Sequence, residues 1–409
     1  MNQMKQFALF FTGMMLIFLT NCKRDGIDEN YVESWDLTPT MTAKLDDKGV
    51  LTISSTAKYS EDMPQVTPLL DNKYKFYSLV IGDSIKSVGD FSWCSNLTSV
   101  TLSNSVKVIS SGAFRNCINL SSITMSNSVT MIRGAAFSGC TSLSSIILPK
   151  SLQTIEIVTF YGCSSLSSII IPNSVKKIDE RAFENCSSLV TVTMSDSITN
   201  LGDWAFSRCS SLHSISLPST LTTIGTQVFS YCTSLASIQV NENNPNYLSE
   251  EGVLYNKNKT TLFLYPAQKK NETFEIPYGV NEIYTYAFYQ CAHLTSVKIP
   301  NSVKQINSGA FQNCPVLESI NIPKSVTNFS TESDLPFPAA LGSSFDCSNI
   351  KTLKVEWETP VYDYAYIMDW TQIGYNKFIS LFVPIGTKEN YLAVYGWKDF
   401  KAIIEYEPE

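Results

Sequence analysis

Cysteine recurs in this chain at positions 94, 117, 140, 163, 186, 209 and 232, each 23 residues after the last, and returns at 291, 314 and 347. The 232 to 291 interval is one period plus 36 residues, and the 314 to 347 interval is one period plus 10. Ten of the eleven cysteines therefore share one column, and only Cys22 stands outside it. A unit of this length cannot bury its own apolar side. Successive units must stack, and the chain must wind into a solenoid.

The unit reads most clearly as Cys163-x-x-Leu166-x-x-Ile169-x-Ile171-Pro172-x-Ser174-Val175-x-x-Ile178-x-x-x-Ala182-Phe183. Ile169 and Ile171, two apart, mark a short strand with alternate residues inward. Pro172 ends it, because proline brings no N–H to a ladder. Val175 and Ile178 face inward along the next side, and Ala182-Phe183 sets a large ring at a corner beside a small neighbour. Coils stacked about 4.8 Å apart pair each strand with its equivalent in the next unit. Phe114, Phe137, Phe160, Phe183, Phe206, Phe229, Phe288 and Phe311 then form a core spine, and the cysteines pack as small buried hydrophobes, too regularly parallel to bridge.

This combination of columns, from Leu79 to Leu353, resembles the BspA-like leucine-rich repeat family of bacterial, Bacteroidetes-type surface lipoproteins. The resemblance implies a β-rich leucine-rich-repeat solenoid, a right-handed coil of short parallel strands and short helical or 3-10 turns. Gly49-Val50-Leu51-Thr52-Ile53-Ser54 resembles the hairpin that opens such arrays; Leu381-Phe382-Val383-Pro384 with Tyr391, Trp397 and Phe400 resembles their closing segment. An N-terminal β-hairpin cap and a C-terminal α/β cap follow. The implied divisions are a signal peptide at 1–21, a tether at 22–40, a β cap at 41–78, a solenoid at 79–355 and a capping segment at 356–409. Within the solenoid, Gly252–Asn256 and Thr261–Tyr265 around Lys257-Asn258-Lys259 predict a hairpin inserted at about 241–272.

The first residues carry a different message. Lys5 precedes the apolar stretch Phe7–Leu19, which is an export signal and too short for the roughly 20 residues that cross a bilayer. Leu19-Thr20-Asn21-Cys22 resembles a bacterial lipobox, which implies lipid attachment at Cys22 and a membrane held through acyl chains. Lys23 is not the Asp associated with inner-membrane retention, so the expected address is the outer membrane, at the cell surface.

Chemistry is sparse. His213 and His293 occupy different offsets in separate units, and no nucleophile–His–acid arrangement is signalled. No metal-ligand spacing or glycine-rich phosphate loop appears, so no cofactor is expected. Carboxylate pairs leave no spacing signature; Asp179-Glu180, Glu250-Glu251 and Asp363 with Asp369 read as solvated acids. With a formal charge of -7 and no Lys/Arg run, nucleic acid is not an expected partner. The expectation is a non-enzymatic monomer that binds a macromolecule, with adhesion to host or bacterial surface proteins implied by the family. The alternatives are a glycan-capturing outer-membrane lipoprotein and a structural envelope protein.

Recognition is expected where the repeat varies. Five residues after each cysteine the position bears a hydroxyl throughout, from Ser99 to Thr352. Seven after, it varies, giving Ile147, Ile170, Thr193, Ser216 and Gln239 as candidate contacts. The inserted Tyr255 and Tyr265 form a second group. Trp357, Tyr364 and Trp370, in the aromatic stretch near the C-terminus, form a third, since aromatic faces stack on sugars and anchor proteins; the same rings also read, and more readily, as packing the C-terminal cap over the last coil.

Overall fold

The computed structural model describes residues 31–58, 61–64, 73–330, 349–360, 379–394 and 397–407. Cys22, Cys347, Asp363, Tyr364, Asp369 and Trp370, with the whole export segment, lie outside the described residues.

The chain is a β-solenoid whose coils carry two parallel ladders. The first is the expected one: Ser168–Ile170 pairs in register with Thr191–Thr193, and Ser214–Leu217 with Ser237–Val240, each residue facing the one 23 positions on. The second lies on the next side, where two-residue strands such as Lys177–Ile178 and Asn200–Leu201 pair. Alternation decides which side chains enter the core: in Ser214–Leu217, Ile215 and Leu217 are buried while Ser214 and Ser216 are exposed.

The third side consists of hydrogen-bonded turns rather than helix. Among the described residues, helical geometry occurs only at Lys388–Leu392 and Trp397–Asp399. In the turns, Phe114 N–H donates to Ala136 O of the next coil at 2.8 Å and Phe137 N–H to Thr159 O at 2.9 Å, so the backbone is satisfied between coils. From Cys117 to Cys314 the path takes a left-handed residue five positions before the cysteine, including Ala135, Arg181 and Trp204 with φ of 58°, 55° and 53°. Small columns and large rings alternate there, and the Phe rings stack from Phe91 to Phe229 with centroids 5.3–6.1 Å apart.

The cysteine column has a polar role as well as an apolar one. Seven of the buried thiols reach the Phe carbonyl of the preceding coil, as in Cys163 to Phe137 O at 3.2 Å and Cys209 to Phe183 O at 3.3 Å, while Cys291 faces Tyr265 O at 3.9 Å. The same carbonyl also accepts the N–H of the cysteine in its own coil. A residue here must be small, apolar and a weak donor, and cysteine is all three. The nine described repeat cysteines are buried and free of disulfides.

At the N-terminus, Tyr31–Asp36, Met41–Asp46 and Val50–Ser55 form an antiparallel sheet whose last strand pairs in parallel with Ser78–Ile81. At the other end, Thr352–Val355, Ser380–Pro384 and Ala402–Tyr406 continue the first ladder. The insertion holds three strands instead of two, because Tyr247–Glu250 pairs antiparallel with Val253–Asn256 before the latter pairs with Thr261–Leu264. The core divides here. One cluster of buried residues runs from Met41 to Leu254 and the other from Val253 to Ile403.

Candidate recognition surface

The outward positions of the first ladder, between Thr98 and Gln239, contain no Asp, Glu, Lys or Arg at offsets four, five and seven after cysteine. The hydroxyls at offset four are occupied within the scaffold: Thr98 donates to Tyr77 O at 2.8 Å, Ser121 to Thr98 O at 3.1 Å and Ser167 to Ser144 O at 3.3 Å. Ser122, Ser145, Ser168, Thr191 and Ser214, one position on, are exposed to solvent.

Within this neutral face Ile147 is 87% exposed and Ile170 71% exposed, on successive coils. Val190, on the coil after Ile170, adds a third exposed apolar side chain. Thr193 lies beside Ile170 in the ladder, and Ser216 beside Gln239; all three are exposed. The structure thus brings five candidate residues onto one surface. Beyond the insertion the same face becomes charged, with a Glu275–Lys298 ion pair at 2.7 Å and Lys354 over the Tyr406 ring at 4.1 Å.

The other described aromatic candidates are not on a surface. Tyr255 and Tyr265 are each 1% exposed, and Tyr265 stacks on Phe288 at 5.3 Å, so it replaces phenylalanine in the spine. Trp357 is 6% exposed; its indole N–H donates to Val326 O at 3.0 Å, and Tyr391 hydroxyl donates to Trp357 O at 2.7 Å. These three residues are core because the rings fill space that the repeat leaves, two at the insertion and one over the last coils. Tyr255 and Tyr265 are therefore corrected to structural roles, and Trp357 takes the capping role that its stretch also suggested.

One surface was not anticipated from the sequence. On the turn side, Arg181 lies over Trp204 at 4.8 Å and Arg208 over Tyr231 at 4.3 Å. Glu184 sits between the two guanidiniums, 3.6 Å from Arg181 and 3.8 Å from Arg208. Burial raises its carboxyl above the usual range against the pull of both arginines. The signal was present in the columns five and one before cysteine, where Trp204, Arg208 and Tyr231 interrupt small or polar residues. These groups attract one another across coils, which makes them inter-coil clasps, with Glu184 Oε2 buried and without a hydrogen bond.

The acids considered as a hydrolytic pair are tied to separate cations: Asp179 to Lys177 at 3.4 Å, Glu180 to Arg181 at 3.3 Å, Glu250 to Lys259 at 2.5 Å and Glu251 to Lys269 at 3.8 Å. His213 Nδ1 meets Ser211 O at 2.7 Å, and His293 Nε2 meets Gln268 Oε1 at 3.1 Å. Among the described residues no group of three potential metal ligands converges.

A family model for the BspA type leucine rich repeat region, in six copies, matches residues 69–165, 153–264 and 262–358. No curated protein matches the chain. Among solved structures, a leucine rich cell surface protein from Faecalibacterium prausnitzii is 25% identical with a TM-score of 0.53, covering 93% of this chain and 97% of its own. The pneumococcal vaccine antigen PcpA is 17% identical with a TM-score of 0.56, covering 91% of this chain and 98% of its own, a likeness of fold.

Proposed function

We propose, from the premise that this chain belongs to the BspA type leucine-rich repeat family, that it is a protein-binding repeat module whose partner docks on the neutral strand face around Ile147 and Ile170. The observation that carries this reading is the pair of adjacent, outward isoleucines at 87% and 71% exposure on a face without charge. Apolar side chains that already face water gain from its removal on binding. The role is adhesive: a solenoid held at the cell surface by lipid on Cys22 presents this face to host or bacterial surface proteins. Kinship with proteins such as the cell surface protein of F. prausnitzii supports the surface assignment. Glycan capture has lost one of its supports, since Trp357 is packed in the core.

An array of extracellular-matrix and bacterial surface proteins tests the reading. A bound partner is expected to be lost, by tenfold or more in affinity, with Ile147→Ser/Ile170→Ser, while the melting temperature stays within about 2 °C because neither side chain is in the core. Affinity is also expected to change less than about twofold between about 50 mM and about 500 mM salt, because a face with no charges has nothing to screen. A variant that binds as tightly as the parent would place the contact elsewhere.

Anchoring has its own test. Palmitate fed to producing cells is expected to label the parent and not Cys22→Ser. Equal labelling of both would remove the lipid from this account.

A further inference from the structure

The coil after Cys117 and the coil after Cys140 meet differently from their neighbours. On the first ladder, Ser99–Leu102 pairs with Ser122–Thr124, and that sheet stops there. The next equivalent, 145–147, forms no strand, and none of the backbone hydrogen bonds joins Ser144–Leu148 to 121–125. On the second ladder Met131–Ile132 ends its sheet and Thr154–Ile155 begins another. Elsewhere in the uninterrupted repeats, where the first ladder lapses, the second persists, as between Asn200–Leu201 and Thr223–Ile224. Only at this joint do both fail together among the described, uninterrupted coils.

The turn side of the same joint is complete. Ala135, Phe137 and Gly139 N–H groups donate to Ile157, Thr159 and Tyr161 O at 3.0, 2.9 and 2.7 Å, and Phe137 stacks on Phe160 at 5.6 Å. Side chains tie the second ladder, with Ser151 hydroxyl on Asn127 O at 2.8 Å and Gly134 N–H on the Glu156 carboxylate at 2.9 Å. On the first ladder nothing comparable appears. Inward positions there are also less covered: Ile123 and Met125 are only partly buried, whereas Ile169 and Ile171, their equivalents two coils on, are 1% and 2% exposed.

We propose that the solenoid hinges at this joint, with the turn side as pivot and the strand face as the edge that opens. A backbone hydrogen bond between stacked strands resists separation, and this joint lacks such bonds on the two sides away from the pivot. Opening widens the space beside Ile147 and uncovers Ile123 and Met125. The hinge follows from the hydrogen-bond pattern and stands whether or not a partner docks on the face.

Hydrogen exchange on the full chain reads the hinge directly. Amides of Ser144–Leu148 are expected to exchange at least a hundredfold faster than those of Ile169–Ile171, while Ala135, Phe137 and Gly139 stay as slow as their equivalents Val158, Phe160 and Gly162. Equal protection of both strand segments would overturn the hinge. Fast exchange on the turn side as well would also overturn it, because the coil would then be melting, with no pivot. Spin labels supply a second readout. A pair at Thr101→Cys/Thr193→Cys, on the strand face across the joint, is expected to give a broader distance distribution than a pair at Arg115→Cys/Arg208→Cys on the turn side. Equal widths would sink the proposal.

Discussion

Phe183→Ala is expected to cost about 3–5 kcal/mol of stability, the range for emptying a large buried aromatic site. The ring is fully buried and stacks on Phe160 and on Phe206, both with centroids 5.3 Å away. Its loss leaves a gap between two rings that are each held by their own coil, and neither can collapse into it without breaking the turn hydrogen bonds. Because each coil touches only its neighbours, the damage also weakens coupling between the two halves of the stack. Denaturant unfolding therefore reads two things, a lower midpoint and a shallower slope. Cys186→Ser is the matched control. It removes no ring and keeps a donor facing Phe160 O, which the thiol now meets at 3.2 Å. A Phe183→Ala loss no larger than that of Cys186→Ser would deny the spine its structural role.

The repeat thiols are expected to be silent in the native protein and reactive once it unfolds. Burial pushes the Cys232 thiol up to about 12 and holds Cys140, Cys163 and Cys209 well above the ordinary thiol range. Thiolate is the nucleophile, so at pH 8 a thiol near 12 is ionised at about one part in ten thousand, against roughly a quarter at the unperturbed value. Alkylation by iodoacetamide is therefore expected to slow by more than a thousandfold relative to the denatured chain. In denaturant without reductant, ten repeat thiols are expected to react. A count of two or fewer would mean bridged pairs.

The sequence carried the solenoid because a 23-residue period repeats every inward position. The spine, the cysteine column and the outward setting of Ile147 and Ile170 all follow from that arithmetic. What lay outside the period was harder to read. Tyr247–Glu250 joins the insertion as a strand although its sequence, YLSE, has no apolar alternation to announce it. Tyr265 stands among the candidate contacts because it belongs to the insertion, yet it precedes Phe288 by 23 residues. Counting back one period would have placed it in the core. The lapse of both ladders at one joint has no comparable signature. Met125 occupies an inward position held by Leu or Ile in neighbouring coils, but a flexible thioether alone does not foretell a missing hydrogen bond.

Parallel sheets ordinarily assemble slowly, since their strands are far apart in sequence and the entropy of closing the intervening loop precedes any reward. Here the paired strands are separated by a single 23-residue coil in a chain of 409. Each closure is therefore short, and the finished edge of one coil is the template for the next. Growth can proceed from the N-terminal sheet onward, one coil at a time. At no stage does the unfinished molecule present more than one open coil in the direction of growth.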